Sequence, residues 1–573
     1  MDKRTIIIVV LLAIVLIFWS QIAQQLGLVK PAPSQPPVTA VDTLETPASH
    51  PPITTDTSAT YDTSTDQSGQ VSPTAPAQIG ETVPDSTIPE ELMVVTTPLY
   101  EITFTTYGGG IKEIKLNQYS YYNGKEGAVV LKSADDPVVP DFKAAGGSYS
   151  AANLAFSTND QGFSLGESDT PRKISFVYDN QKGGKIIKTY TINPDHYHID
   201  LDLAVEGIET FGFERSYQMA WGSTPPPTEK NIEDDYGQYK AVVMLDDYEE
   251  IDDYDNGVMN QQLMGFTRWG GIRTKYFAVV MIPRTRNADG MKITGQKWDA
   301  LIDQDKVEVR KISVALEMPI ANYGTTADNY TIYIGPIDYN RLEEYKIGLE
   351  ELASLGWKII ISWFSIGIIW LLPKIYSVIP NYGIVIIIFA FLIKLITYPL
   401  SRKQNLAMAR MKDLQPKMKA LQEKYKTDPQ RLNKEMMKLY KTAGANPLSG
   451  CLPMLPQLPL FFALFTVFRT TIEFRGASFI GWISDLSTPD PYYILPVIMV
   501  IVMFVQQKMT MTDPKNKMLT YMMPLFFGYI SLSFPAGLVL YWTAFSLLSY
   551  AETLIIRKTS STGGDAVVVQ DAT

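Results

Sequence analysis

The residue with the clearest chemical potential in this 573-residue chain is Lys394, the one charge within a nineteen-residue apolar run, Tyr382 to Leu400. An ionisable group inside a membrane span is costly unless it reaches water, a partner or the interface. A lone ammonium there would attract acidic stretches of a passing polypeptide. Two readings compete for it. Six residues remain before Leu400, about 9 Å of helix, which a lysine stem can cover by snorkelling. Against this, no acidic residue falls within the other four apolar runs of the C-terminal half. An ion pair inside the bundle is therefore not expected, and a hydrated cavity open to the cytoplasm is favoured.

Other candidate chemistry is sparse. His196, His198, Asp200 and Asp202 share one strand face, an arrangement that could hold a metal but reads more simply as a solvated polar face. Glu233 to Asp255 carries ten Asp/Glu against one Lys. Its spacing lacks the central Gly and terminal Glu of a calcium loop, so it is read as a solvated acidic loop. One cysteine (Cys451) and three histidines exclude a disulfide framework and a Cys-based zinc site. No nucleophile elbow, phosphate loop or framed carboxylate pair is present. The sequence makes no case for an enzyme, a metal or a cofactor.

The elements that position Lys394 follow from hydropathy. Lys3 and Arg4 precede Thr5 to Ile22, an apolar stretch without a small-residue cleavage site; residues 1–28 are read as an uncleaved signal anchor with a cytoplasmic N-terminus. Residues 31–90 hold 11 Pro, 7 Ser and 12 Thr and no Lys or Arg, so 29–93 reads as a disordered tether. Residues 94–340 alternate apolar and polar positions between Gly-rich turns. Tyr197, Ile199, Leu201, Leu203 and Val205 on one strand face, Gly183-Gly184 as a hairpin turn and the apolar run Tyr276 to Ile282 predict an all-β sandwich. Residues 341–380 are read as amphipathic or interfacial helices. The first covers Arg341 to Leu355, and Ile359 to Leu372 lies too short to span.

The core, 381–558, is expected to hold spans near 382–400, 448–468, 492–508, 518–533 and 536–555. The last two come from one uncharged run, Met518 to Ala551, split at Phe534-Pro535-Ala536-Gly537. With the anchor this makes six spans of an α-helical polytopic membrane protein. Charge supports the count. Residues 401–446 hold 12 Lys/Arg and 4 Asp/Glu, a net of +8, while the chain as a whole is −10, so the rest carries −18. Six spans put this basic segment inside and the β domain outside. The segment reads as a cytoplasmic hairpin of two helices, Lys403 to Tyr425 and Pro429 to Lys441, with Thr427-Asp428-Pro429 as turn. Arg402, Lys403, Arg410, Lys412, Lys417, Lys419, Lys424 and Lys426 give it a basic surface suited to ribosomal RNA, anionic lipid or an acidic polypeptide. Thirteen of the 22 methionines lie between residues 401 and 525, adaptable side chains for varied apolar partners or plain core filling. Residues 559–573 are a short cytoplasmic tail.

Several motifs then resemble one family. Tyr398-Pro399-Leu400, Met411-Lys412-Asp413-Leu414-Gln415-Pro416-Lys417, Asn446-Pro447-Leu448-Ser449-Gly450-Cys451-Leu452-Pro453 with Gln457 and Pro459, and Phe534-Pro535-Ala536-Gly537-Leu538-Val539-Leu540-Tyr541-Trp542 look like the YidC membrane insertases. Gly108-Gly109-Gly110-Ile111, Trp269-Gly270-Gly271 and Gly335-Pro336-Ile337-Asp338-Tyr339 look like the periplasmic domain of the Gram-negative members. The resemblance implies a five-helix bundle around a hydrophilic groove, closed to the periplasm and open to cytoplasm and lipid. It also implies insertion of nascent proteins into the inner membrane, alone or beside SecYEG and SecDF. Lys394 falls where the family usually has Arg, which keeps the charge and loses the bidentate fork. Gln457, Tyr541 and Trp542 match groove positions. The long basic ribosome-binding tail of some members is missing here, so ribosome contact would fall to the hairpin. The competing classes are a transporter, which should show internal repeats and several polar intramembrane residues, and a membrane-anchored carbohydrate-binding protein, which should carry a carboxylate-lined cleft in the β domain.

Overall fold

A computed structural model describes residues 89–573, apart from 123, 134–138, 145–146, 212, 303, 321–323, 357–360, 444–453, 511–516 and 563–573. The N-terminal anchor, nearly all of the linker, the Asn446 to Pro453 motif and most of the tail lie outside the described residues.

Alternating residues build the central strand His198–Glu206, whose inward positions are buried one after another. It pairs antiparallel with Lys185–Ile192 and Thr325–Pro336, placing Tyr190, Leu201 and Tyr330 in register and so on one sheet face. The Gly183-Gly184 turn joins Arg172–Asp179 to Lys185–Ile192 as expected, and Phe277–Pro283 is buried along its whole length. Together with Tyr248–Ile251, Lys240–Met244 and Trp269–Arg273 these strands form an eight-stranded sheet. Two smaller sheets cover its apolar face. A five-stranded sheet brings Phe104 against Tyr190, with ring centroids 5.0 Å apart. A six-stranded sheet brings Met291 and Leu316 against Gly270, where any side chain would collide with the Met291 sulfur. The β domain is thus three sheets around one core.

The polar face of the central strand is occupied by local hydrogen bonds. Thr331 donates to Asp200 and Asn329 to Asp202, and the His198 Nδ1 lies 2.6 Å from the Tyr345 hydroxyl. Burial pulls the His198 pKa down.

Two expectations in this half are corrected. The acidic run Glu233 to Asp255 is not a solvated loop. It forms helix α1 (Ile232–Tyr236), the edge strand Tyr248–Ile251 and its neighbour Lys240–Met244, and several of its carboxylates are paired. Burial pushes the Glu250 carboxyl up, but Arg273 and Lys240 outweigh it and hold it at about 2. Nor is Arg341 to Leu355 one amphipathic helix. It breaks into α2 (Tyr339–Glu343) and a 3₁₀ turn, Leu349–Ala353, with Lys346 and Gly348 between them at positive φ. Leu342, Leu349 and Leu352 are all buried, so packing on the β domain wins over helical continuity.

The second half is helical: α3 (Ile361–Tyr376), α4 (Tyr382–Asp413), α5 (Gln415–Lys424), α6 (Pro429–Thr442), α7 (Met454–Thr470), α8 (Ile494–Thr510), α9 (Lys517–Ser531) and α10 (Ala536–Thr562). Among the described residues, Tyr382–Asn405 and Ala536–Ile556 are long and apolar enough to cross a bilayer; α3 and the apolar parts of α7 and α8 are shorter. The break between α9 and α10 falls at Phe534-Pro535, as expected. The hairpin differs. Residues 403–413 of its first predicted helix extend α4, which runs 32 residues, about 48 Å, before a break at Leu414. Only α6 matches its prediction, capped by Asp428 accepting from the Arg431 amide.

The loop between α7 and α8 locks the helices to the β domain. Arg475 Nε lies 2.6 Å from Glu229 Oε1, its Nη2 donates to the Ser120 carbonyl, and both charges are nearly sealed, with side chains 2% and 4% exposed. Arg469 and Lys275 both pair with Asp234. Gly476, at φ +68°, sits directly under the Tyr122 hydroxyl; a Cβ would have no room. Two carboxyls near this seam are displaced. Burial, and then Glu229, push Asp235 up to about 7. Burial, and then Asp338, do the same for Glu473.

Candidate functional site

Helix α4 carries one polar line through its apolar length. Lys394, Thr397 and Ser401 recur at helical spacing, one turn beyond the buried Ala390, while Leu395 and Ile396 are turned away from this line and exposed. Helix α10 offers the matching line: Phe545, Ser549, Glu552 and Thr553. Where the two helices pack, the Lys394 Nζ lies 2.6 Å from Glu552 Oε2, with the side chains 12% and 7% exposed.

This overturns the expectation that Lys394 has no partner inside the bundle. Glu552 follows Ala551, the last residue of the uncharged run. The charge itself ended the run, so a search for charges within apolar stretches passed over it. The signal that could have found it is the i, i+4, i+7 spacing of Phe545, Ser549 and Glu552.

Each charge is also tied to the opposite helix by a serine. Lys394 Nζ donates to Ser549 Oγ at 2.9 Å, and Ser401 Oγ donates to Glu552 Oε1 at 2.7 Å. The ammonium lies 5.1 Å from the Phe545 ring centroid, a cation–π contact. These contacts offset part of the desolvation of both ions; Glu552 Oε2 meets the ammonium as a close charge contact without a well-angled hydrogen bond. The unit can exchange partners: an incoming carboxylate competes for Lys394, an incoming cation for Glu552, and neutral polar groups for the two hydroxyls.

The other expected groove residues join it only in part. Tyr541 is buried and stacks on Phe545, centroids 5.9 Å apart, so Phe545 links it to Lys394. Trp542 belongs to an aromatic cluster. Its ring meets Phe461 edge-on at 5.1 Å and Phe527 at 5.4 Å, and with Phe534 these rings line a small apolar cavity. Gln457 is half-buried near the start of α7, outside both groups.

In the basic segment Arg402, Lys403, Lys417, Lys419, Lys424 and Lys426 are exposed. Arg410 and Lys412 lie on α4, where their side chains fall outside the described residues. Helices α5 and α6 meet at Met418, whose sulfur accepts from the Tyr440 hydroxyl at 3.9 Å, leaving the lysines outward. No group of three or more His, Cys, Asp or Glu among the described residues is placed to hold a metal ion.

Comparison with known proteins gives two family matches: the YidC periplasmic domain over residues 92–371 and the 60Kd inner membrane protein over residues 374–563. The membrane protein insertase YidC of Syntrophus aciditrophicus is 33% identical over 572 residues, covering 97% of this chain and 100% of that one. That of Chlorobaculum parvum is 31% identical, covering 98% and 95%. A crystal structure of an active YidC insertase with its first transmembrane domain resolved aligns with 81% of this chain and 92% of its own, at 20% identity and a TM-score of 0.36.

Proposed function

Because the chain belongs to the YidC family of membrane protein insertases, we propose that it works through a hydrophilic groove between α4 and α10, with the Lys394–Glu552 pair as its polar floor. The chain is an inner-membrane insertase with a β-rich periplasmic domain. In the proposed arrangement six spans hold the β domain in the periplasm and both termini in the cytoplasm, and five of them form the bundle around the groove. The charge distribution supports this: the arrangement puts the basic segment, Lys508 to Lys517 and Arg557-Lys558 on one side, and Glu473, Asp485 and Asp490 on the other. Insertion needs no covalent chemistry. A polar stretch of a nascent chain parks against the ion pair and serines, which lowers its desolvation cost. The adjoining apolar stretch moves into lipid by hydrophobic transfer. The exposed lysines of α5 meet the ribosome or anionic lipid, and SecYEG and SecDF are the expected translocon partners.

The observation that carries this reading is an ion pair, braced by two serines, between the two helices that, among the described residues, are long and apolar enough to cross a bilayer. The test is complementation of cells depleted of their own insertase, with wild type, Lys394→Arg and Lys394→Ala, reading translocation of the acidic tail of a single-span substrate. Wild type and Arg should rescue and Ala should fail. Full rescue by Ala at equal protein level would remove Lys394 from the mechanism.

A further inference from the structure

We propose that Glu552 sets the charge selectivity of the groove, holding it close to indifferent between acidic and neutral polar segments. This rests on the groove reading above and adds a residue and a direction to it. A lone intramembrane lysine would make the site anion-selective. Here the ammonium is already balanced by a carboxylate 2.6 Å away, and each ion has a second anchor. Lys394 is tied to Ser549 and Glu552 to Ser401, each across the helix pair. An acidic residue of a passing chain gains Lys394 only by displacing Glu552. That leaves Glu552 with the Ser401 hydroxyl as its protein donor, in a position 7% exposed. The gain on one contact is offset by the loss on the other. A neutral polar segment can bond to Ser549 or Ser401 without separating the charges. The substrate class that suits such a site is broad: tails of mixed polarity, with no premium on negative charge.

The pair makes an ordered forecast for four forms of the full-length protein: wild type, Glu552→Gln, Lys394→Gln, and the double variant. The readout is translocation of matched tails, one with two Asp and one with Asn in their place, by proteoliposomes holding equal amounts of each protein. Glu552→Gln leaves Lys394 as an unbalanced cation, and the acidic-to-neutral ratio should rise roughly fivefold or more, the range of ordinary coupling between two sites. Lys394→Gln leaves an unbalanced carboxylate, and the ratio should fall by a similar factor. The double variant is neutral again and should return to the wild-type ratio. Glu552→Asp, which shortens the reach by one methylene, serves if Glu552→Gln does not accumulate, and should raise the ratio by a smaller factor.

An unchanged ratio in Glu552→Gln or Glu552→Asp, or a double variant that stays at the Lys394→Gln value, would overturn the proposal while leaving the groove reading in place. If Lys394→Gln shifts neither tail, the groove reading itself fails at this position, and the proposal with it.

Discussion

Removing one member of the Lys394–Glu552 pair should damage folding as well as insertion, and the two effects can be separated. Lys394→Met strands a carboxylate whose side chain is 7% exposed, with the Ser401 hydroxyl still donating. Breaking a buried pair in this way costs about 3–5 kcal/mol. Glu552→Met should cost less, because the Lys394 ammonium keeps the Ser549 hydroxyl and the Phe545 ring. Replacing both by Met removes both desolvation penalties and should land within about 1 kcal/mol of wild type. The assay is unfolding of the full-length protein in lipid nanodiscs, followed by pulse proteolysis over a denaturant series. The double-mutant cycle should give a coupling of at least about 3 kcal/mol. Losses that add to within about 0.5 kcal/mol would refute a buried pair and return Lys394 to a lone, snorkelling cation. A failure of Lys394→Ala in cells is therefore informative only beside the protein level and the double variant.

Further predictions concern the seam and the hairpin. Asp235 is raised from 3.8 to about 7 and Glu473 from 4.5 to about 7, so the folded state binds more protons than the unfolded chain between those values. Stability should therefore fall as pH rises from about 4 to 7 and level off above. The Asp235 share is on the order of 4 kcal/mol at 1.36 kcal/mol per pH unit, and Asp235→Asn with Glu473→Gln should flatten a pH series of thermal unfolding. Arg475→Met leaves Glu229 buried beside the Ser120 carbonyl it once faced through Arg475. It should destabilise by about 3 kcal/mol or more and open the seam to protease, and unchanged cleavage of the 470–493 loop would contradict that docking. Charge reversal at Lys417, Lys419, Lys424 and Lys426 should weaken ribosome co-sedimentation about tenfold at low salt, with the difference shrinking as salt screens it. An equal loss at all salt concentrations would point to misfolding of the hairpin instead.

Much of this organisation was legible in the chain. Period-two patterning marked the strand His198–Glu206, because one face is core and the other water. Pro535 and Gly537 marked the break between α9 and α10, because 34 uncharged residues overrun a bilayer. The hidden part was what depends on contacts between segments distant in sequence. Asp234 reads as one more acid in an acidic run until Lys275 and Arg469 arrive beside it from 41 and 235 residues away. Lys346 and Gly348 break a helix that periodicity alone would continue, since the leucines around them fit the β domain better separately. Glu552 is hidden because the uncharged run ends at Ala551 while the expected span runs on to 555, so a charge inside the span falls outside the run in which partners for Lys394 are sought.

The central claim is that polar stretches of the nascent chain meet the Lys394–Glu552 pair during insertion. The direct measurement places a photo-crosslinking residue at Phe545, beside the ammonium, or at Leu395, on the outward face of α4 and 61% exposed, in the full-length protein. It then traps ribosome-bound chains arrested as the substrate tail crosses. The account predicts crosslinks from the polar tail to position 545 and few to position 395, with the adjoining apolar segment showing the reverse. Tail crosslinks equal at both positions, or confined to position 395, would contradict it.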